Sequence, residues 1–291
     1  MQALLATSSI LFSYVNVPHV AMREKPESTA TLCSDAFYSE RIEILEEQGD
    51  WARIKTVIDG YEGWIKKETF LEDGTKRCIY HTRQEAFLQN PEALEARVNQ
   101  TYFAHVYGIK DTEKGTILDL PFESRLQVLD ESDARWLRVL LLDGKEAYIQ
   151  RGDVSLRPKP LSLEEVCVLS EKFQGLPYTW GGRSSIGGFD CSGFVQMLFR
   201  QMQVFLPRDT KDQIKWSGFE HVELSSLQRG DLIYFGLSEE KIRHVGLFLG
   251  DGMFIHATVR ENNPKLRISS ITDAEWNGSG TFPYRAARRL K

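Results

Sequence analysis

Cys191 stands in the stretch Gly187-Gly188-Phe189-Asp190-Cys191-Ser192-Gly193-Phe194-Val195, with an apolar run directly behind it. Phe194, Val195, Leu198, Phe199 and Met202 recur at the spacing of one helix face. The cysteine therefore opens a buried helix, with Asp190 near the N-cap. A sulfur so placed meets free backbone N–H groups and the positive end of the helix dipole, which should hold its pKa below the usual value of about 8.5. Gly187, Gly188 and Gly193 keep side chains away, so a substrate backbone is expected to come close there.

A nucleophilic thiol needs a base, and the base needs a group that orients it. His244 and His256 bracket the stretch HVGLFLGDGMFIHA, which reads as a hairpin. Strand faces alternate, so the turn decides whether both rings serve one site. A two-residue Asp251-Gly252 turn would put His256 opposite Leu247, on the face away from His244. A three-residue or bulged turn would put it opposite Gly246, on the same face as His244, where the missing side chain leaves room for a ring. A working pair requires the second arrangement. Cys191 would then attack a carbonyl carbon. His244 would take the thiol proton and return one to the leaving amine, and His256 would fix the tautomer of His244. The Cys191 N–H and the Tyr178 hydroxyl are candidate donors to the developing oxyanion.

These residues need elements to position them. A chain of 291 residues, 42% hydrophobic and 26% charged, can build two or three globular domains. A net charge of -5 argues against a nucleic-acid partner. Cys33, Cys78, Cys167 and Cys191 form no CxxC pair, which speaks against a zinc ribbon and reads as free thiols of a reducing compartment. In MQALLATSSILFSYVNVPHV no Lys or Arg precedes Arg23, and Thr7, Ser8, Ser9 and Ser13 break the apolar pieces. Neither a secretory signal nor membrane insertion is expected. The expected location is cytoplasmic, with a periplasmic or wall-associated one as the alternative if a signal has been removed.

Two segments, about 13–71 and 101–156, carry strand alternation punctuated by turns. Trp51 matches Trp136, Asp59-Gly60 matches Asp143-Gly144, and Gly63-Trp64-Ile65 matches Ala147-Tyr148-Ile149. Residues 82–98 lack the alternation and read as a polar helical connector. Arg157-Pro158-Lys159-Pro160 reads as a stiff linker. Beyond it Leu163, Val166, Leu169 and Phe173 have helical spacing, with Ser162 as N-cap.

The motifs Y-T-W-G-G (178–182), F-D-C-S-G-F-V (189–195), L-P-R-D-T (206–210) with Gln213, L-Q-R-G-D-L-I-Y-F (227–235), H-V-G-L-F-L-G (244–250) and F-I-H-A (254–257) occur in order. Together they resemble the NlpC/P60 family of cysteine peptidases, and the two strand-rich segments resemble bacterial SH3 (SH3b) domains. The resemblance implies an α+β chain: a papain-like NlpC/P60 domain over 158–291, preceded by two small all-β SH3b barrels over 1–75 and 101–157 with a helical connector over 76–100. It implies catalytic roles for Cys191, His244 and His256 without metal or cofactor. The implied substrates are peptidoglycan stem peptides, cut between γ-D-glutamate and a diamino acid such as meso-diaminopimelate.

Two SH3b modules ahead of such a domain resemble the subgroup that cuts released wall peptides with a free N-terminal L-alanine, the first module narrowing the cleft. In that subgroup the aspartate before the cysteine helps bind the amine, a role Asp190 matches by position, and Glu62 is a candidate second contact. Ser192, Arg208, Asp209 and Thr210 are candidates for the glutamate carboxylate, with the guanidinium of Arg208 foremost. A wall-remodelling hydrolase of intact peptidoglycan and a non-catalytic wall-binding adaptor are the opposing readings. The complete Cys191, His244 and His256 set argues against the adaptor. Amidases and acyltransferases share the same core, and two histidines do not separate hydrolysis from transfer.

Overall fold

The computed structural model describes residues 12–70, 76–83, 94–259, 263–277 and 282–291. The chain divides into two compact units, Met1–Thr31 with Ala36–Pro158, and Leu32–Asp35 with Lys159–Lys291.

Two seven-stranded sheets follow one another along the chain, one from strands within 12–83 and one from strands within 95–156. One has the order Leu32–Phe37, His19–Arg23, Glu62–Lys66, Trp51–Thr56, Arg41–Gln48, Phe12–Val15, Tyr80–Arg83. The other runs Thr116–Pro121, Phe103–Tyr107, Glu146–Gln150, Trp136–Leu140, Arg125–Asp130, Glu95–Val98, Val154–Leu156. The two orders are the same position by position, so the repetition in sequence is a repetition of topology. Both Asp-Gly turns work alike, with Gly60 at φ +71° and Gly144 at φ +88°, where only glycine is unstrained. The modules also share a core. Tyr14 of the first sheet and Tyr38, just past its strand Leu32–Phe37, pack with Val98, Val106, Leu126, Leu137 and Ile149 of the second. The Tyr38 hydroxyl accepts the Leu142 N–H at 2.9 Å.

The span read as a helical connector, 76–100, needs correcting. Its described residues hold no helix and are mostly strand: Lys76–Cys78, Tyr80–Arg83 and Glu95–Val98. Tyr80–Arg83 pairs with Phe12–Val15, and Glu95–Val98 lies between Arg125–Asp130 and Val154–Leu156. Sheet pairing outweighs the weak local pattern here. The middle of that span, 84–93, and the opening residues 1–11 lie outside the described residues. Among the described residues no helix is long and apolar enough to cross a membrane.

Among its described residues the second unit sets three α-helices with a six-stranded antiparallel sheet. Helix α1, Leu163–Lys172, starts with a full capping box: Ser162 Oγ accepts the Glu165 N–H at 3.3 Å, and Glu165 Oε2 accepts the Ser162 N–H at 2.7 Å. Helix α2, Cys191–Arg200, is buried from Cys191 through Phe199, as its apolar sequence requires. Helix α3 is the single turn Thr210–Gln213. The sheet order is Phe219–Val222, Tyr284–Leu290, Leu232–Gly236, Ile242–Gly250, Met253–Thr258, Lys265–Ser270. The basic C-terminal segment is thus an interior strand.

Leu32–Asp35 belongs to this unit although the sequence reading assigned it to the first module. Its role is electrostatic. Arg183, with a side chain only 1% exposed, donates Nε to the Asp35 carbonyl at 2.6 Å and its backbone N–H to Asp35 Oδ1 at 3.1 Å. A guanidinium buried so deeply needs that counter-charge.

Candidate active site

The hairpin resolves the parity question. Leu247 pairs with Ile255 and Phe248 with Phe254, then Gly250 pairs with Met253, which leaves Leu249 as a bulge. The turn itself has two residues, Asp251 and Gly252, at φ +50° and +74°. The extra residue in the bulge shifts the register by one, so His256 faces Gly246 on the His244 side. An added Cβ on Gly246 would lie 2.6 Å from Phe254 Cδ2 and 3.3 Å from His256 Cβ, so glycine is what fits.

The two rings meet, with His244 Nε2 at 2.7 Å from His256 Nδ1. His256 Nε2 lies 3.0 Å from the hydroxyl of Ser269 on the next strand. Burial pushes the His256 imidazole well below its ordinary range, with the charges of His244 and Arg267 adding to the effect, so the ring is neutral. Trp276, 1% exposed, stacks on His244 with ring centroids 5.0 Å apart and planes at 23°.

Cys191 is the first residue of α2, and its N-cap Asp190 accepts the Gly193 N–H at 2.7 Å. The Val245 N–H is directed at the sulfur. The strand carrying His244 therefore brings its neighbouring residue to Sγ. Thr210 Oγ1 lies 3.8 Å from Sγ. The thiol is not lowered as the helix position alone suggested. Burial, then the Asp190 carboxylate, push it up to about 11, against the opposing pull of Thr210, the Val245 N–H and Arg208. Desolvation of the thiolate outweighs the dipole.

Two glycines near the cysteine, Gly188 and Gly193, are required by the chain's own packing. A Cβ on Gly193 would meet the Gly182 carbonyl oxygen at 2.3 Å, and one on Gly188 would meet Thr179 Oγ1 at 2.5 Å.

Asp190 is the centre of a closed network. Its carboxylate accepts from the Gly181 N–H at 3.1 Å, the Ser192 hydroxyl at 3.2 Å, and Arg208 Nη1 and Nη2 at 3.1 and 2.7 Å. Arg208 also donates to the hydroxyls of Ser192 at 3.0 Å and Ser34 at 3.1 Å. Burial alone would pull the guanidinium down, and Asp190 more than offsets it, so Arg208 stays charged. Both Asp190 oxygens are thus engaged within the fold, and the expected substrate contacts Arg208 and Ser192 both bond to Asp190. A carboxylate buried beside the nucleophile takes its counter-ion from the chain.

The remaining candidates separate. Asp209 precedes α3 without capping it, and its side chain is 32% exposed, 3.6 Å from Lys211. Tyr178 is half-buried; burial, then the charges of Cys191 and Asp190, raise its hydroxyl, which stays protonated and able to donate. Glu62 belongs to the first unit, where it pairs with Arg53 Nη2 at 2.6 Å on an exposed surface. Among the described residues no cluster of three His, Cys, Asp or Glu side chains could hold a metal. Sequence reasoning missed Ser269, Trp276, Ser34 and Asp35. Ser269 lies one strand beyond the hairpin, and extending the register count to that strand would have found it. The others carry no spacing signal.

A thiol at a helix N-terminus, set against a strand whose histidine bonds a second histidine, is the site of a cysteine peptidase. The comparisons with known proteins agree. Residues 175–281 match the NlpC/P60 family, and residues 22–69 match the bacterial dipeptidyl-peptidase Sh3 domain. A gamma-D-glutamyl-L-lysine dipeptidyl-peptidase of Bacillus subtilis is 30% identical over 257 residues, covering 83% of this chain and 79% of that one. A second of the same name, from Bacillus cereus, is 27% identical over 250 residues, covering 80% and 69%. The crystal structure of an NlpC/P60 family protein from Bacillus cereus shares the fold, with a TM-score of 0.78 at 23% identity over 96% of this chain and 99% of that one. The chain belongs to the NlpC/P60 family and is a cysteine peptidase with a bacterial SH3 domain ahead of its catalytic domain.

Proposed function

We propose that this enzyme hydrolyses the γ-D-glutamyl–diamino acid bond of released peptidoglycan peptides that carry a free N-terminal L-alanine. The observation that carries the reading is the hydrogen-bonded His244–His256 pair, with His244 on the strand that contacts Cys191. Support for the substrate comes from the names of the relatives that align along most of the chain. In this reading both seven-stranded sheets are SH3b barrels and the second unit is a papain-like peptidase.

His256 is neutral and has one ring N–H. When that hydrogen sits on Nε2, it is donated to Ser269, and Nδ1 accepts the His244 Nε2–H. His244 Nδ1 is then left as the base. The thiol proton passes to Nδ1 as Sγ bonds to the γ-carbonyl carbon. The Cys191 N–H and the Tyr178 hydroxyl stabilise the oxyanion. His244 returns the proton to the diamino acid nitrogen and the C–N bond breaks; water then attacks the thioester as His244 takes its proton, the C–S bond breaks, the glutamyl carboxyl group leaves, and His244 gives the proton back to Sγ. A thiol held near 11 is protonated until substrate arrives, so nucleophile and base act in concert.

With Asp190 committed to Arg208, the carboxylate offered to the L-alanine ammonium is Asp209, next to the Thr210 that touches the sulfur. Four free thiols fit a reducing, cytoplasmic setting in which imported peptides are recycled.

The test is mass spectrometry of two digests, each with wild type and Cys191→Ala. One contains L-Ala-γ-D-Glu-meso-diaminopimelate and the corresponding lysine peptide; the other contains intact sacculi. Cleavage of the free peptides alone, lost in the variant, supports the reading. Release of fragments from sacculi turns it toward wall remodelling, and no cleavage of either toward an adaptor.

A further inference from the structure

Trp276 is buried in the core cluster that includes Phe235, Phe248 and Phe254. Three rings, Phe235, Phe254 and Trp276, enclose the His244–His256 hydrogen bond, and they do so differently. Phe235 is tilted at 46° to His244, with centroids 5.9 Å apart. Phe254 is tilted at 50° to His256 at 4.5 Å. Trp276 lies nearly flat on His244, 23° between planes at 5.0 Å, and stands at 82° to His256 at 4.9 Å. Its backbone is held on both sides, the N–H donating to the Asp273 carbonyl at 2.9 Å and the carbonyl accepting the Tyr284 N–H at 3.0 Å.

The indole N–H decides between packing and function. Trp276 Nε1 is buried without a hydrogen-bond partner among the described residues. An unpartnered buried donor is a cost that phenylalanine would not carry. What tryptophan offers in exchange is the strongest π face of any side chain, and that face is presented to His244.

As the base, His244 becomes positively charged on taking the Cys191 proton and stays so until it gives a proton to the leaving amine. A cation within about 6 Å of an indole centroid is attracted by the ring quadrupole, and more so when water is excluded. We infer that Trp276 is a positioning residue for the reaction: its indole face holds the His244 ring in line with the Cys191 sulfur and stabilises the positive charge that His244 carries between the two proton transfers. The inference rests on the reading of His244 as the base.

The experiment measures the single-turnover acylation rate, KM and Tm on L-Ala-γ-D-Glu-meso-diaminopimelate for wild type, Trp276→Phe, Trp276→Leu and His244→Ala. It adds enzymes carrying monofluoro- or trifluorotryptophan at position 276 alone. Fluorine withdraws charge from the π face while hardly changing the shape. Acylation should slow stepwise with fluorine count while KM and Tm stay put. Trp276→Leu should lose on the order of 10-fold, with Trp276→Phe between it and wild type. Acylation indifferent to fluorine, with His244→Ala inactive, overturns the role of Trp276 and leaves the base assignment standing. Acylation that survives in His244→Ala overturns the base assignment itself. Rates that track Tm across the series reduce Trp276 to packing and also overturn the inference.

Discussion

Asp190→Asn separates an internal counter-ion from a substrate anchor. Asparagine keeps the cap on α2, because its side-chain oxygen can still accept the Gly193 N–H that Asp190 accepts at 2.7 Å. It removes the charge facing Arg208, a side chain only 1% exposed and bound through Nη2 at 2.7 Å. Breaking one side of a buried ion pair costs roughly 3–5 kcal/mol, because the other charge stays buried. In a protein of this size that is a fall in Tm of roughly 6–20 °C. The double variant Asp190→Asn/Arg208→Met removes both charges and should recover a good part of the loss. Urea denaturation of wild type, Asp190→Asn, Arg208→Met and the double variant gives the coupling directly, and steady-state kinetics on the tripeptide gives KM. A large fall in stability, a KM within about twofold of wild type, and recovery in the double variant are expected. Unchanged stability with a KM raised tenfold or more would refute the reasoning and return the substrate amine to Asp190.

Three further outcomes follow from the same geometry. Gly246→Ala puts a Cβ 2.6 Å from Phe254 and 3.3 Å from His256, so it should lose about 1–3 kcal/mol and slow turnover with little change in KM; an unaltered enzyme would contradict the register. In the free enzyme, alkylation of Cys191 by iodoacetamide should still be climbing with pH between 8 and 10, since a thiol near 11 is only about one part in ten thousand ionised at neutrality; a plateau below pH 8 would contradict that. His256 titrates well below the 6.5 of the unfolded chain, so the folded state keeps its full advantage above that pH. As pH falls below it the unfolded chain binds a proton that the folded one refuses, and stability drops by about 1.4 kcal/mol per unit until the folded ring titrates. His256→Asn should lack this acid-side slope in urea denaturation, and an identical slope would mean the ring is not held neutral.

What could be read from the sequence was whatever depends on local order. The α2 face, the Asp190 and Ser162 caps and the hairpin around Asp251-Gly252 all rest on residues close together along the chain. The Trp51 and Trp136 repeat was legible for the same reason. Even the pairing of His244 with His256 could be reduced to one unknown, an extra residue near the turn. The bulge at Leu249 supplies it, and no pattern marks which residue bulges.

The illegible parts depend on distant partners. Nothing near Arg208 says that its carboxylate is Asp190, 18 residues away, or that Ser34 completes the site from 174 residues away. The thiol shift went wrong because a helix N-terminus is a local feature and burial is not. The connector went wrong because Tyr80–Arg83 and Glu95–Val98 pair with strands remote in sequence. Trp276 had no periodic neighbour to mark it, and its face against His244 exists only in three dimensions.

The central claim is that Cys191 carries the acyl group through a thioester. The direct measurement is rapid acid quench of enzyme mixed with L-Ala-γ-D-Glu-meso-diaminopimelate, followed by intact-mass and peptide mapping. The account predicts an L-alanyl-γ-D-glutamyl adduct on Cys191 that forms as diaminopimelate is released, decays with turnover, and is absent in Cys191→Ala. Diaminopimelate released by Cys191→Ala, or an adduct on another side chain, would contradict it.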